Sequence, residues 1–333
     1  MRIAVDVLGG DHAPGEILKG VADALKSDFT ADQFLLAGPP EVIEAGLRSH
    51  GIVDIPAILA TDQVVESHEK PTKALKSKPR STIALCVGAV KQGHAGGLIS
   101  FGNTGAAVAA ATFGLGMLPG MKRPGISVVL TGSAGKIVLL DAGANPQAKA
   151  LHLFQYAVAG SAFAHDMHGI ANPRVGLLNI GGEAGKGSPA VQEVHAMLEQ
   201  SSLTFVGNVE GQELFAGVAD VLVTDGFVGN MILKVVEGFV EYVVRESQAE
   251  KSAELRQTFR RLFGAADFAD IGGATLLGVD GVVLIGHGRS HANAVAPALR
   301  AVRGDIEAGV NRHIIEAIGA EAPDSASQEA ERD

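Results

Sequence analysis

Short runs of β-branched and leucine residues alternate along this chain with longer alanine-rich stretches, and glycine sits at many of the seams. No other feature limits the possible folds as much. A brief, continuously apolar run bounded by turn residues suits a strand covered on both faces, as in a parallel sheet flanked by helices. Predicted strands are Arg2–Val7, Gln33–Ala37, Ile55–Ala60, Gly97–Phe101, Ile126–Leu130, Lys136–Asp141, Arg174–Ile180, Thr204–Val206, Val221–Thr224 and Val282–Ile285. Predicted helices are Glu16–Lys26, Pro40–His50, Thr82–Gln92, Thr104–Gly116, Gln147–Asp166, Pro189–Glu199, Val228–Ser247 and His291–Gly304. The alternation implies an α/β fold, a three-layer α/β/α arrangement with a mostly parallel central sheet.

Glycine accounts for 43 of the 333 residues, about twice its usual share. Many of these glycines fall where a strand ends and a helix begins, as at Gly9-Gly10, Gly102, Gly105, Gly143, Gly181-Gly182, Gly226, Gly229, Gly286 and Gly288. Ligands of open α/β sheets bind beyond the carboxyl ends of the strands, where glycine permits close backbone approach. Ordinary turn chemistry explains any one such loop. It explains less well their repeated mixture of Gly with Asp, Asn, His and Lys.

Composition removes several function classes. With 47% apolar and 19% charged residues, the bulk of the chain is neither disordered nor a coiled coil. A net charge of −10 speaks against general nucleic-acid binding. The lone Cys86 excludes a disulfide scaffold, and its apolar neighbours make it a core thiol. Met1 to Val7 reads as a strand rather than a signal peptide, and no stretch is apolar enough for a transmembrane helix, so a cytoplasmic location is expected. Residues 1–320 read as a single catalytic α/β domain with a protruding helical segment around 240–263. Residues 321–333 hold five acids and one base and read as a disordered acidic tail.

Five loops carry chemistry-bearing residues. The first, from Asp6 to Pro14, contains Asp11 and His12 beside Gly9-Gly10, suited either to a capped turn or to a substrate contact. In Ser100-Phe101-Gly102-Asn103-Thr104-Gly105, the backbone N–H groups of a helix start can bind an anion, while Thr104 can cap the same helix. Asn179 to Pro189 invites confusion with a P-loop. Ile180 stands where the first glycine should, and Gly187 follows Lys186 where Ser or Thr should, so nucleotide hydrolysis is poorly supported. Lys186, next to Glu183, still offers a positive point charge. Asp225-Gly226-Phe227-Val228-Gly229-Asn230 places Asn230 in the first turn of a helix, able both to donate and to accept. In Gly286-His287-Gly288-Arg289-Ser290, Arg289 offers a planar fork for phosphate or carboxylate, and His287 suits acid–base work, capping or a polar contact. Eleven histidines form no recognisable ligand motif, and no metal is expected.

Two basic stretches stand apart. Lys251, Arg256, Arg260 and Arg261 accompany Leu255, Phe259, Leu262 and Phe263 at helical spacing, a basic amphipathic surface for lipid, an acidic partner protein or a second subunit. Lys70, Lys73, Lys76, Lys78 and Arg80 read as a solvated loop.

Taken in order, these motifs resemble the bacterial phosphate acyltransferases (PlsX). The resemblance spans roughly residues 1–305. It rests on Gly9-Gly10-Asp11-His12-Ala13-Pro14, Gly102-Asn103-Thr104-Gly105-Ala106, Asp141-Ala142-Gly143-Ala144-Asn145, Asn179-Ile180-Gly181, Gly207-Asn208-Val209-Glu210-Gly211, Asp225 to Asn230 and His287-Gly288-Arg289-Ser290. The chain departs from the family pattern at His68 and at Gly93-His94-Ala95-Gly96. The resemblance implies a fold like that of phosphotransacetylases and isopropylmalate dehydrogenases, in a homodimer. It implies reversible transfer of a long-chain acyl group from acyl-carrier protein to inorganic phosphate, with no cofactor. The acyl phosphate formed feeds phospholipid synthesis, with peripheral membrane association and handover to a membrane glycerol-3-phosphate acyltransferase.

Such chemistry needs cations and donors around phosphate and a polarised thioester carbonyl. Lys186 is the expected phosphate-positioning cation and Asn230 the carbonyl-orienting amide. Ser100, Asn103, Thr104, Gly105, His287 and Arg289 are phosphate-site candidates. Asp6, Asp11, His12, Asp141, Asn145, Glu183 and Asp225 are further pocket candidates. Lys251, Arg256, Phe259, Arg260 and Arg261 are candidates for the carrier-protein or membrane surface. Two other readings are an NAD-dependent acid dehydrogenase, for which Gly9-Gly10-Asp11 fails the dinucleotide fingerprint, and a noncatalytic module binding lipid or carrier protein.

Overall fold

A computed structural model describes residues 1–249 and 273–321. Its sheet has eleven strands among the described residues: β1 (Ile3–Asp6), β2 (Phe34–Gly38), β3 (Ala57–Ala60), β4 (Gly97–Ser100), β5 (Gly125–Gly132), β6 (Gly135–Leu140), β7 (Arg174–Asn179), β8 (Thr204–Glu210), β9 (Val221–Val223), β10 (Ala274–Leu277) and β11 (Val282–Ile285). Their order across the sheet is β3-β2-β1-β4-β11-β10-β5-β6-β9-β7-β8. From β3 to β11 all neighbours run parallel, and so do all from β6 to β8. Three antiparallel pairings, β11/β10, β10/β5 and β5/β6, separate these blocks. The two parallel halves therefore point in opposite directions.

Ten helices are described: α1 (Gly15–Ser27), α2 (Pro40–Ser49), α3 (Pro71–Ser77), α4 (Thr82–Lys91), α5 (Thr104–Gly114), α6 (Ala150–His168), α7 (Pro189–Glu199), α8 (Gly226–Ala249), α9 (Ala292–Ala308) and α10 (Val310–Ala320). Alternation along the strands sorts them into layers. Ala4, Leu98, Leu139, Leu222 and Val283 face one core with residues of α3, α4, α5 and α8. Val5, Ile99, Val138, Val221 and Leu284 face the other side, against α1, α2 and α9 in one half and α6, α7 and α10 in the other. The expected three-layer α/β/α fold is present.

The differences from the sequence reading have local causes. The basic stretch expected as a loop contains α3, which Pro71 opens from N1, where its missing N–H costs nothing. Gly304 does not end α9. It lies inside the helix, where an added Cβ would stand 3.2 Å from Met167 of α6, and the helix stops at Gly309, with φ 66°. The strand β10 and the helix α10 were not expected at all. Residues 250–272, which include the later part of the protruding segment, and the tail residues 322–333 lie outside the described residues, as do Lys251, Arg256, Phe259, Arg260 and Arg261. No described helix is long and apolar enough to cross a membrane.

Candidate active site

A cleft of about 690 Å³ opens on the sheet face between α5 and α8. Its floor is Ile126 and Val128 of β5 with Ala274 of β10, in the antiparallel centre of the sheet. The first residues of α5, the loops after β6 and β11 and the early turns of α8 border it, so both halves of the sheet contribute. Thr104, Gly105, Asn145, Asn230 and His287 all line it.

Beneath this cleft, three short polar side chains hold the loops in shape. Asp141, at the end of β6, is fully buried. Its Oδ1 accepts from the N–H groups of Ile126, Gly143 and Ala144 at 3.0, 2.9 and 2.8 Å, and its Oδ2 from Asn145 at 2.7 Å. Burial pushes this carboxyl up, while the four N–H donors favour its charged form. Asp225 caps α8 by accepting from the N–H groups of Phe227 and Val228, both at 2.9 Å. Asn103, not Thr104, caps α5. Its Oδ1 accepts from Ala106 N–H at 3.0 Å, while its Nδ2 donates to the carbonyls of Glu66, Ser67 and Glu69. Gly229 permits the closest approach. A Cβ there would stand 1.9 Å from the carbonyl oxygen of Asp141, so only glycine lets α8 seat against this loop.

Other predicted residues serve as supports rather than as lining. Ser100 donates to buried Asp6 at 2.6 Å, tying the ends of β4 and β1 together. Burial pushes the Asp6 carboxyl up, against its hydrogen bond from Ser100. Asp11 N–H donates to the Gly288 carbonyl at 2.8 Å. The His12 ring stacks on His291 at 4.5 Å. These contacts brace the 286–291 loop from behind. Asn145 lines the cleft and is also a brace, donating from Nδ2 to the Pro124 carbonyl and the Tyr156 hydroxyl.

Asn230 is the lining residue freest to act. It is exposed on α8 and faces Gly143, whose added Cβ would lie 3.6 Å from the Asn230 Cβ. No hydrogen bond ties its amide to another described residue. One and two turns further along the same face come Lys234 and Glu237, both lining the cleft. Lys234 Nζ lies 2.8 Å from Glu237 and 3.3 Å from His287 Nε2. Burial first, and then the Lys234 charge, hold the His287 pKa below its usual value. Arg289 N–H lies 3.2 Å from His287 Nδ1, so the ring has a donor at each nitrogen. The Arg289 guanidinium turns outward to Glu241 at 2.9 Å and does not line the cleft.

Sequence reasoning missed Lys234, Glu237 and Arg123. The i, i+4, i+7 spacing of Asn230, Lys234 and Glu237 was available as a signal. Arg123, before Pro124, lines the cleft, and its side chain makes no hydrogen bond or ion pair with another described residue. Nothing in its sequence setting singles it out.

Lys186 and Glu183 lie elsewhere. They sit on the exposed loop between β7 and α7, pair weakly with each other at 3.9 Å, and do not line the cleft. Cys86 is buried, and burial pushes its thiol well up, as expected for a core residue.

The cleft thus combines a cation, a carboxylate-paired lysine, a free amide and a helix N-terminus above an apolar floor. A family model described as "Fatty acid synthesis protein" matches residues 1–313. A phosphate acyltransferase of Heliobacterium modesticaldum is 43% identical over 334 residues, covering 97% of this chain and 98% of that protein. One from Desulfitobacterium hafniense (strain DSM 10664 / DCB-2) is 41% identical, with the same coverage. Among solved structures, a phosphotransacetylase from Streptococcus pyogenes has the same fold, with a TM-score of 0.61 and 18% identity, covering 96% of this chain and 94% of that one.

Proposed function

Because the chain belongs to the phosphate acyltransferase family, it transfers an acyl group to phosphate, and we propose that the donor is a long-chain acyl-carrier protein and the site the α5/α8 cleft. One observation carries the siting: free polar groups for an anion and a carbonyl meet an apolar floor there. Phosphate binds to Arg123, whose planar fork matches two phosphate oxygens, and to the first N–H groups of α5. The Asn230 amide orients the thioester carbonyl. A phosphate oxygen attacks the carbonyl carbon, the C–O bond forms and the C–S bond breaks. Lys234 offsets the negative charge as the thiolate departs, and solvent supplies the thiol proton. His287 flanks Lys234 and does not act as the acid. Phosphate is the substrate, and no cofactor takes part.

The proposal extends to assembly. The outer face of α8 exposes Phe227, Met231, Val235, Phe239 and Tyr242, an apolar stripe suited to a second copy in a homodimer. Lys186 then serves as the phosphate-positioning cation from the partner's loop, since the cleft of its own protomer excludes it. The basic segment from Lys251 to Arg261 receives the acidic carrier protein or an anionic membrane. Peripheral contact with the membrane from the cytoplasm suits handover of acyl phosphate to a membrane glycerol-3-phosphate acyltransferase, for phospholipid synthesis.

The test is phosphate-dependent release of carrier-protein thiol from long-chain acyl-carrier protein, with acyl phosphate identified by mass. Turnover that needs phosphate supports the proposal. Thiol release that is equally fast without phosphate refutes it.

A further inference from the structure

A second cavity, of about 780 Å³, lies on the other side of α5, between α3 and α4. Its wall is largely apolar, with Leu75, Ala84, Val87, Gly88 and Ala110 among its residues. The two cavities are continuous in their lining. Thr72, Ala109 and Phe113 belong to both. Phe113 stands at this junction with 77% of its surface exposed, an unusual setting for a phenylalanine with no apolar cover.

We propose that this groove takes the distal part of the acyl chain, which leaves the cleft past Thr72 and Phe113 and lies between α3 and α4. The inference rests on the acyl-transfer reading and adds where the tail goes and what limits its length. The reaction joins a polar head, the thioester and phosphate, to an aliphatic tail. The cleft supplies partners for the head and apolar walls for the near part of the tail. The adjoining groove continues that apolar lining with few polar groups and has a volume typical of small-molecule sites. Small residues on α4 and α5 keep it open. At Gly88 an added Cβ would meet no heavy atom within 4 Å, so a side chain there projects into the groove. At Gly114 an added Cβ would stand 2.3 Å from Val87, so α5 closes on α4 at that point and ends the groove. Lys91, near the same end, is held by donating to the Leu115 carbonyl at 2.7 Å.

Gly88→Phe tests this directly. A helix-interior glycine is a poor helix former, so the substitution does not threaten α4. The full-length protein is assayed with acetyl, octanoyl and palmitoyl thioesters, and thermal unfolding is followed in parallel. For the wild type, kcat/KM should rise with chain length by up to about fourfold per methylene buried. In Gly88→Phe, acetyl transfer and Tm should be unchanged. The palmitoyl-to-octanoyl ratio should fall about fifteenfold, the equivalent of two methylenes denied burial. An unchanged ratio would overturn the groove assignment. Binding of the fluorescent fatty acid cis-parinarate is measured on both proteins as a readout independent of turnover. Weaker binding to Gly88→Phe supports the groove, and equal binding overturns it. Wild type that turns over none of the thioesters would instead refute the acyl-transfer reading, leaving the parinarate comparison to decide the groove.

Discussion

The Asp141–Asn145 loop and the Gly181–Gly187 loop look alike in sequence, each a glycine-rich turn at the end of an apolar strand. Their roles in the chain differ. The first is pinned by a buried carboxylate that accepts four backbone N–H groups, and it meets α8 across Gly229. The second is held by amide side chains: Asn179 donates to the Lys186 carbonyl, Gln192 to Gly185 and Asn208 to Glu183, at 3.0, 2.8 and 2.8 Å. Its charged side chains point to solvent, with Lys186 half exposed. Glycine beside a polar residue marks a loop that can approach a ligand. Whether it lines the cleft depends on convergence with a second element, and α8 supplies that only for the first loop.

The largest expected effect breaks the anchored loop. Asp141→Ala leaves four N–H groups without their acceptor and should lower stability by about 3 kcal/mol or more, read from the denaturant midpoint. Gly182→Ala, in the solvent-facing loop, should leave stability nearly unchanged, because no heavy atom lies within 4 Å of the added Cβ. Equal losses would remove the distinction.

Next comes a mixing experiment. Lys186→Ala and Asn230→Ala should each be nearly inactive alone. If the two loops meet only across a homodimer, co-refolded mixtures regain about a quarter of wild-type activity, because each mixed dimer holds one intact site. No recovery would mean that the two residues do not act across a subunit boundary.

Arg123→Ala should raise KM for phosphate at least about tenfold, the cost of losing a charge-assisted pair, with a smaller change in the KM for the acyl donor. An unchanged phosphate KM would remove Arg123 from the site.

The smallest effect on activity belongs to a position remote from both loops. Asp305 of α9 is buried and accepts from Thr275 at 2.9 Å, and burial pushes its carboxyl up to about 7. The folded protein therefore holds a proton that the unfolded chain releases near pH 4, so stability falls as pH rises from about 4 to 7 and then levels off. Asp305→Asn should flatten that slope and raise Tm at pH 8 without altering turnover. A wild-type Tm independent of pH across this window would contradict the protonated Asp305.

Much of the fold was legible because strands covered on both faces need continuous apolar runs, and the β1, β4, β6 and β11 segments have them. The antiparallel centre was not. β10 reads Ala-Thr-Leu-Leu, a run that suits a helix as well as a strand, and strand direction leaves no mark in composition. In the site, Asn230 and the Asn103 loop were legible from glycine and amide residues at strand ends. Asp141 and Asp225 were read as pocket groups because a carboxylate in a glycine loop looks the same in sequence whether it meets a ligand or its own backbone. Lys234 and Glu237 went unread because their helix reads as an ordinary amphipathic one until the loop bearing His287 is seen against it.

The most direct measurement is single-turnover transfer by Asn230→Ala, with phosphate saturating and the long-chain acyl donor prebound. The expected result is a rate on the order of a hundredfold below wild type, with Tm unchanged. A wild-type rate in a folded Asn230→Ala protein would place the reaction outside the α5/α8 cleft.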